Sequence, residues 1–350
     1  MNRIPIAIVG LNFGRHIINQ LTEGPASHLF NLAAVCDLDP EKAATFGQRF
    51  KVPHFTDLDT LLQEAGIPCI GLFTGPAGRS PLLRRIVDAG KDIITTKPFE
   101  VDADAALEIL RYAASQDRVL HLNSPGPCLS PDLACIEAWQ NDYDLGAPVS
   151  CQQSVWVRYN EQAGPEGNWL DDPLRCPVAP IFRLGIYLIN DLVSLLGEAA
   201  QISVLSSRLN TGRPTPDNAQ LGLLFQNGAI ASISANFCCA DGDHYRNSME
   251  LHYERGSIYR NCGPNRDPKA LGEMTLVMGT PEGGRRIEDY QQVESMSGDY
   301  QWEAFAKAHR GETLKLSTTP EKIVAGLRII EAMSRADQAD GYAQVENSAC

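Results

Sequence analysis

The chain has 350 residues, 43% of them hydrophobic and 21% charged, with a formal net charge of -13. That length fits two domains better than one core, and no apolar run reaches the ~18 to 20 residues of a membrane-spanning helix, which excludes a membrane protein. The acidic balance, without any cluster of Lys and Arg, argues against nucleic acid as a partner and leaves small molecules or other proteins.

Up to about residue 124, short apolar runs alternate with helical spacing. Residues 6–9, 32–36, 69–73, 92–95 and 119–123 predict buried strands, and 15–21, 40–50, 58–65, 80–89 and 103–115 predict helices. This alternation predicts a doubly wound parallel sheet over residues 1–124. From residue 125 the texture changes. A helix is expected at 129–139, then an irregular stretch, then a strongly apolar helix at 181–196. Strand patterns follow at 151–158, 201–208, 221–226, 229–237, 248–253 and 256–260, with turns at Asn227-Gly228 and Arg255-Gly256. Helical patterns at 300–309 and 320–336 close the chain. Residues 125–350 therefore read as an α+β domain with a largely antiparallel open sheet.

The ten cysteines are scattered and form no CxxC pair, so neither a zinc site nor a disulfide framework is expected. Met1-Asn2-Arg3-Ile4-Pro5 runs directly into a strand, leaving no room for a signal peptide, so the cytoplasm is the expected location. His244 and His252 lack spaced partner ligands, and no metal is assigned.

The first strand leads into Gly10-Leu11-Asn12-Phe13-Gly14-Arg15, close to a glycine-rich turn that lets a helix amino terminus approach a pyrophosphate. Asn12 stands where the second glycine is usual, and the pattern is complete only in its shorter variant ending at Gly14. Asp37, at the end of the second strand, is placed to accept from adenosine ribose hydroxyls. Asp39 suffices to cap the helix starting at Pro40, leaving Asp37 free for that role. With no basic residue seen to be poised for a 2'-phosphate, NAD is expected in preference to NADP.

A more specific pattern follows. Ala89-Gly90-Lys91-Asp92-Ile93-Ile94-Thr95-Thr96-Lys97-Pro98 resembles the "AGKHVxxEKP" segment of the Gfo/Idh/MocA oxidoreductases, with Thr96 in place of the usual glutamate. Val35-Cys36-Asp37-Leu38-Asp39-Pro40-Glu41-Lys42-Ala43 is similar to that family's "VxDxDPEKA", and Glu331-Ala332-Met333 on the last helix also fits. The resemblance spans nearly the whole chain. It implies a Rossmann domain (1–124), a substrate-binding and oligomerisation domain (125–350), an active site between them, and homodimers or homotetramers. Arg183-Leu184-Gly185-Ile186-Tyr187-Leu188-Ile189-Asn190 aligns with the family's "DxGxHxxD", placing Tyr187 at the histidine position, as in members resembling glucose-fructose oxidoreductase and dihydrodiol dehydrogenase. Thr74-Gly75-Pro76-Ala77-Gly78-Arg79 stands where "TPxxxH" is usual, and Asn123-Ser124-Pro125-Gly126-Pro127 lacks the arginine that often follows the fifth strand.

The resemblance implies that Lys97 and Tyr187 are catalytic. Gly10, Asn12, Phe13, Gly14, Arg15, Asp37, Thr74 and Lys97 are the expected cofactor contacts. Hydride transfer at a secondary alcohol leaves one proton to move, and a lysine and a tyrosine can share that relay. The alternative readings are a solvated strand-end lysine for Lys97 and a core tyrosine for Tyr187. Arg183, one turn before Tyr187, either faces the same pocket or pairs with a surface carboxylate. Asn190 is the expected contact for a substrate hydroxyl, in preference to Asp191, and Trp169 is either a stacking wall for a sugar ring or a loop anchor. The expected activity is a dehydrogenase acting on a CH–OH group of a small sugar, polyol, cyclitol or diol. A dinucleotide-binding regulator and an NAD-dependent glycosidase are the rivals.

Overall fold

Apolar runs buried on both faces build the first sheet. In the computed structural model, which describes residues 2–159, 168–240, 246–263, 272–339 and 341–347, six strands pair in parallel: β1 (Ile4–Val9), β2 (Phe30–Cys36), β3 (His54–Phe55), β4 (Cys69–Leu72), β5 (Asp92–Thr95) and β6 (Leu120–Leu122). Their order is β3-β2-β1-β4-β5-β6. The connecting helices are α1 (Leu11–Thr22), α2 (Pro40–Phe50), α3 (Leu58–Leu62), α4 (Arg79–Asp88) and α5 (Ala103–Ser115). Strand order reverses between β1 and β4, so a crevice for a ligand opens beyond their carboxyl ends. Asp39 caps α2 through the Glu41 and Lys42 amides, with Pro40 at the first helical position.

The second sheet has nine strands in the order β14-β13-β12-β11-β7-β10-β9-β8-β15. These are β7 (Pro148–Trp156), β8 (Ala199–Ser207), β9 (Asn218–Phe225), β10 (Ile230–Asn236), β11 (Arg246–Tyr253), β12 (Gly256–Arg260), β13 (Gly272–Gly279), β14 (Arg285–Val293) and β15 (Tyr342–Gln344). Every pairing is antiparallel except β7 with β10. Period-2 burial puts Cys151, Gln153 and Val155 on the covered face of β7, with Gln153 in register with Ile233 and Met249. Its helices are α6 (Pro131–Asp142), α7 (Ile186–Leu196), which continues a π-helical turn at Ile181–Gly185, and α9 (Pro320–Asp337); α8 (Trp302–His309) lies between them in the chain. The expected hairpin at Asn227-Gly228 forms, with Gly228 at φ +89° and the Asn227 carboxamide accepting from Ala229.

Two units result. Met1–Cys128 and Tyr300–Pro320 make up the first, and Leu129–Asp299 and Glu321–Cys350 the second. The sequence boundary at 124/125 falls beside the first junction, but the return of 300–320 to the first unit is not visible in a linear reading. That segment completes a core: Phe305 stacks on Phe30 (5.6 Å), Trp302 meets Phe30 edge-on (5.6 Å), and the Trp302 indole donates to Gln20 (2.7 Å). Strands β3, β13, β14 and β15 were also not anticipated. In β14 most side chains are polar and exposed, and Ile287 itself faces outward, which erases the apolar alternation of a half-buried strand.

Candidate functional site

In the first unit the turn after β1 runs close against the residue that follows β4. Gly10 has φ +86°, and a Cβ there would sit 2.8 Å from the backbone carbon and oxygen of Phe73, so only glycine fits. Helix α1 starts at the next residue, with no side-chain cap from Gly10 and no acidic residue in its own first turn, although the Asp37 carboxylate binds its Leu11 amide. A Cβ on Gly14 would meet Ile8 Cγ2 at 2.8 Å, which identifies Gly14 as the close-approach glycine of the shorter turn. Asn12 and Arg15 are exposed on α1. Phe13 lies beside the Phe73 and His16 rings (6.0 and 5.7 Å). Thr74 has a buried hydroxyl without a hydrogen-bond partner among the described residues, and its amide nitrogen lies 3.0 Å from the same notional Cβ of Gly10.

Asp37 stands at the end of this turn. Its carboxylate accepts from the Leu11 amide (2.8 Å) and the Asp39 amide (3.0 Å). One expectation needs correcting: a basic residue is present here, since Lys42 Nζ lies 3.5 Å from Asp37 Oδ1 and 3.8 Å from Asp39 Oδ2. Helix α2 turns Lys42 back toward the end of β2, which residue order alone did not suggest. The glycine turn, the amino terminus of α1, the orphaned Thr74 hydroxyl and the Asp37 carboxylate together fit a dinucleotide of the NAD type.

Lys97 follows β5 by two residues and is half-buried, with a cis bond to Pro98. Its amide donates to the Asn123 carboxamide (3.0 Å). Beneath it lies Arg79, completely buried, whose guanidinium donates to the carbonyls of Thr96 (2.6 Å), Pro98 (2.6 Å), Phe99 (3.0 Å) and Thr74 (2.5 Å). Burial pulls its pKa down to about 10, against the opposing pull of Glu100 and Tyr300. Glu100 is also buried and accepts from the Gly78, Ser80 and Val101 amides and the Ser80 hydroxyl. Arg79, Glu100, Asn123 and Lys42 were not among the sequence candidates. The departures at Arg79 from "TPxxxH" and at the Asn123 stretch were signals, and Lys42 lay within a quoted motif.

In the second unit, Arg183 and Tyr187 are half-exposed, whereas Asn190 is buried. The Tyr187 ring lies on Gly298 (φ +102°), where a Cβ would come within 2.7 Å of Cδ1 and Cε1. The Arg183 guanidinium lies 4.7 Å from the Tyr159 ring centre and 4.8 Å from that of Phe237, so an aromatic seat holds it. Asn190 points into packing, with its carboxamide oxygen against Gly326 of α9. Trp169 starts a short 3-10 turn and meets Phe182 edge-on at 6.5 Å. His252 hydrogen-bonds Ser257 (2.9 Å), and His244 lies outside the described residues.

Asp191, next to Asn190, belongs to a buried charge cluster. Arg260 Nη1 donates to Asp132 (2.6 Å) and Asp191 (2.9 Å), Nη2 to Asn247 (2.9 Å), and Asp132 also accepts from the Ser297 amide (2.9 Å). Burial pushes the Asp191 carboxyl up to about 6 despite Arg260. Burial by itself would lower Arg260, but its two carboxylates outweigh that and the net shift is upward. No disulfide joins the nine described cysteines, and Cys350 lies outside the described residues. Among the described residues no group of three or more His, Cys, Asp or Glu gathers as metal ligands, and no helix is long and apolar enough to cross a membrane.

The Gfo/Idh/MocA model described as an oxidoreductase family with an NAD-binding Rossmann fold matches residues 4–124, and that of the Gfo/Idh/MocA C-terminal domain matches 136–259. D-apiose dehydrogenase of Rhizobium rhizogenes is 20% identical over 289 residues, covering 81% of this chain and 80% of its own. Among solved structures, an oxidoreductase of Desulfitobacterium hafniense described as NADPH-dependent aligns with a TM-score of 0.78 at 16% identity, covering 99% of this chain and 98% of its own. Levoglucosan dehydrogenase in complex with NADH aligns with a TM-score of 0.75 at 15% identity, covering 99% of this chain and 100% of its own.

Proposed function

The chain belongs to the Gfo/Idh/MocA oxidoreductases, with the family's Rossmann domain followed by its C-terminal domain, and on that premise we propose that it is an NAD-dependent dehydrogenase acting on a CH–OH group of a small sugar-like, polyol, cyclitol or diol substrate. The observation that carries the reading is the cradle at Gly10 with Asp37 beside it and Lys97 just past the end of β5. Asp37 favours NAD, because its carboxylate accepts ribose hydroxyls and repels a 2'-phosphate. Lys42 partly offsets that repulsion. NADH-bound relatives such as levoglucosan dehydrogenase support the preference.

Bound NAD supplies the acceptor or donor of hydride. The chain's own part is the proton and the orientation. Lys97 and Tyr187 are the groups that handle the proton of the substrate hydroxyl in this reading, since an amine and a phenol can each take up and return a proton. The seating of Tyr187 on Gly298 restricts its ring, as a proton-handling hydroxyl requires, and supports the tyrosine-bearing branch of the family. Arg183 and Trp169 orient the substrate. Asn190, buried against α9, supports the helix that presents Tyr187. Outward-facing Leu205, Leu224 and Ile230 on neighbouring strands fit pairing with a second copy, which light scattering would detect. The free thiols fit a reducing, cytoplasmic compartment.

Sugars, polyols and cyclitols screened with NAD+ and NADP+ in parallel, following nicotinamide absorbance, test the activity. On the substrate so found, Tyr187→Phe and Lys97→Met should each lower turnover ~100-fold or more with NADH affinity preserved. Near-normal turnover in Tyr187→Phe overturns its role. NADH binding without turnover of any compound shifts the reading to a regulator, and release of a leaving sugar without net NADH shifts it to a glycosidase. Asp37→Ala should weaken NADH by about 1–3 kcal/mol in calorimetry.

A further inference from the structure

Arginine is rarely buried completely, and when it is, a carboxylate usually pairs with it. Arg79 departs from that pattern. It opens α4, yet its side chain is 1% exposed, and the bonds its two terminal nitrogens donate run to four backbone carbonyls. Two of those carbonyls, on Thr96 and Pro98, belong to the residues directly before and after Lys97, and a third, on Phe99, to the residue after Pro98. The fourth, on Thr74, lies in the turn after β4. The anchor is itself anchored, because Glu100 binds the amides of Gly78 and Ser80 on either side of Arg79. A planar fork of donors can span such a set of acceptors, whereas a histidine, usual at this place in the family, has only two ring nitrogens.

We propose that Arg79 is a positioning residue, whose guanidinium fixes the backbone on both sides of Lys97 and so sets the direction in which the Lys97 side chain leaves the chain. The inference rests on the reading of Lys97 as a group at the cofactor. Displacement of a reacting group by ~1 Å can cost about 100-fold in rate, so a bend held at both sides of Lys97 has a use that packing alone does not.

The test uses the full-length protein and reads position without needing a substrate. Lysine labelling by trinitrobenzenesulfonate is followed by mass spectrometry with and without NADH, and NADH affinity is measured by fluorescence. At NADH tenfold above Kd, labelling of Lys97 in the unsubstituted protein should slow about tenfold, because only the free fraction reacts. In Arg79→Lys, which keeps the charge but loses the fork, NADH should still bind within about threefold of its original affinity while protection of Lys97 falls below about twofold at the same saturation. Hydrogen exchange should quicken in residues 95–101 and not in α1. Full protection in Arg79→Lys overturns the proposal, as does faster exchange throughout the first unit, which would mark a general stabiliser. Absence of protection in the unsubstituted protein refutes instead the placement of Lys97 at the cofactor. If Arg79→Lys does not fold, Glu100→Gln takes its place, with partial loss of protection expected and full protection counting against the proposal.

Discussion

Among the described residues each unit buries one arginine completely, and the two are held in opposite ways. In the first, Arg79 donates to neutral carbonyls, and burial depresses its pKa. In the second, Arg260 is paired with two carboxylates, which raise its pKa against the effect of burial. The same side chain therefore does two jobs. Arg79 shapes backbone, so its loss relaxes a bend. Arg260 neutralises charge, so its loss leaves Asp132 and Asp191 facing each other without a cation.

The largest expected effect tests that contrast directly. Arg260→Met should cost about 3–5 kcal/mol in urea unfolding, because it strands buried carboxylates. Arg79→Met, which strands only carbonyls, should cost about 1–3 kcal/mol. Adding Asp191→Asn to Arg260→Met should recover part of the larger loss. A greater cost for Arg79→Met would invert the comparison.

Acid should also separate the units. Burial holds the His121 pKa down to about 4, below its ordinary 6.5, so the unfolded chain binds the extra proton first. Stability from this group is full above 6.5 and is lost as pH falls through about 4, by up to ~3 kcal/mol in the first unit. Asp191 behaves in the reverse sense. Its carboxyl is raised from 3.8 to about 6, so the stability it contributes is full below 3.8 and is lost as pH rises through about 6. Hydrogen exchange of peptides from each unit between those limits should show opposite trends, with His121→Leu flattening the first and Asp191→Asn the second. Parallel trends would refute the assignment.

The smallest effect concerns Asn190. Gly326→Ala would push a methyl group into its carboxamide and should cost ~1–3 kcal/mol. A neutral result in thermal unfolding would indicate that Asn190 is free to turn elsewhere, toward a substrate.

The alternating strands and helices of the first sheet were legible because strands covered on both faces are continuous apolar runs. The placement of Gly10, Asp37 and Lys97 just past strand ends was legible as well, since each sits at a fixed offset from such a strand. The anchoring behind them was not. Arg79 lies on a helix where an arginine ordinarily faces water, and nothing in its neighbours tells that carbonyls 17 to 20 residues later receive it. Asp132, Asp191 and Arg260 are separated by up to 128 residues, beyond any local pattern. Lys42 was part of a quoted motif, but its nearness to Asp37 depends on the turn of α2.

The return of Tyr300–Pro320 to the first unit has a bearing on biosynthesis. A ribosome releases the dinucleotide-type sheet early, yet Trp302 and Phe305, which fill the space against Phe30, emerge only after almost the whole second sheet has been made. Until then the nascent amino-terminal segment carries an unfilled apolar hollow beside Phe30. Its final consolidation waits for a segment made late, although most of its own sequence is made first. A fragment ending at residue 128 would keep that defect permanently.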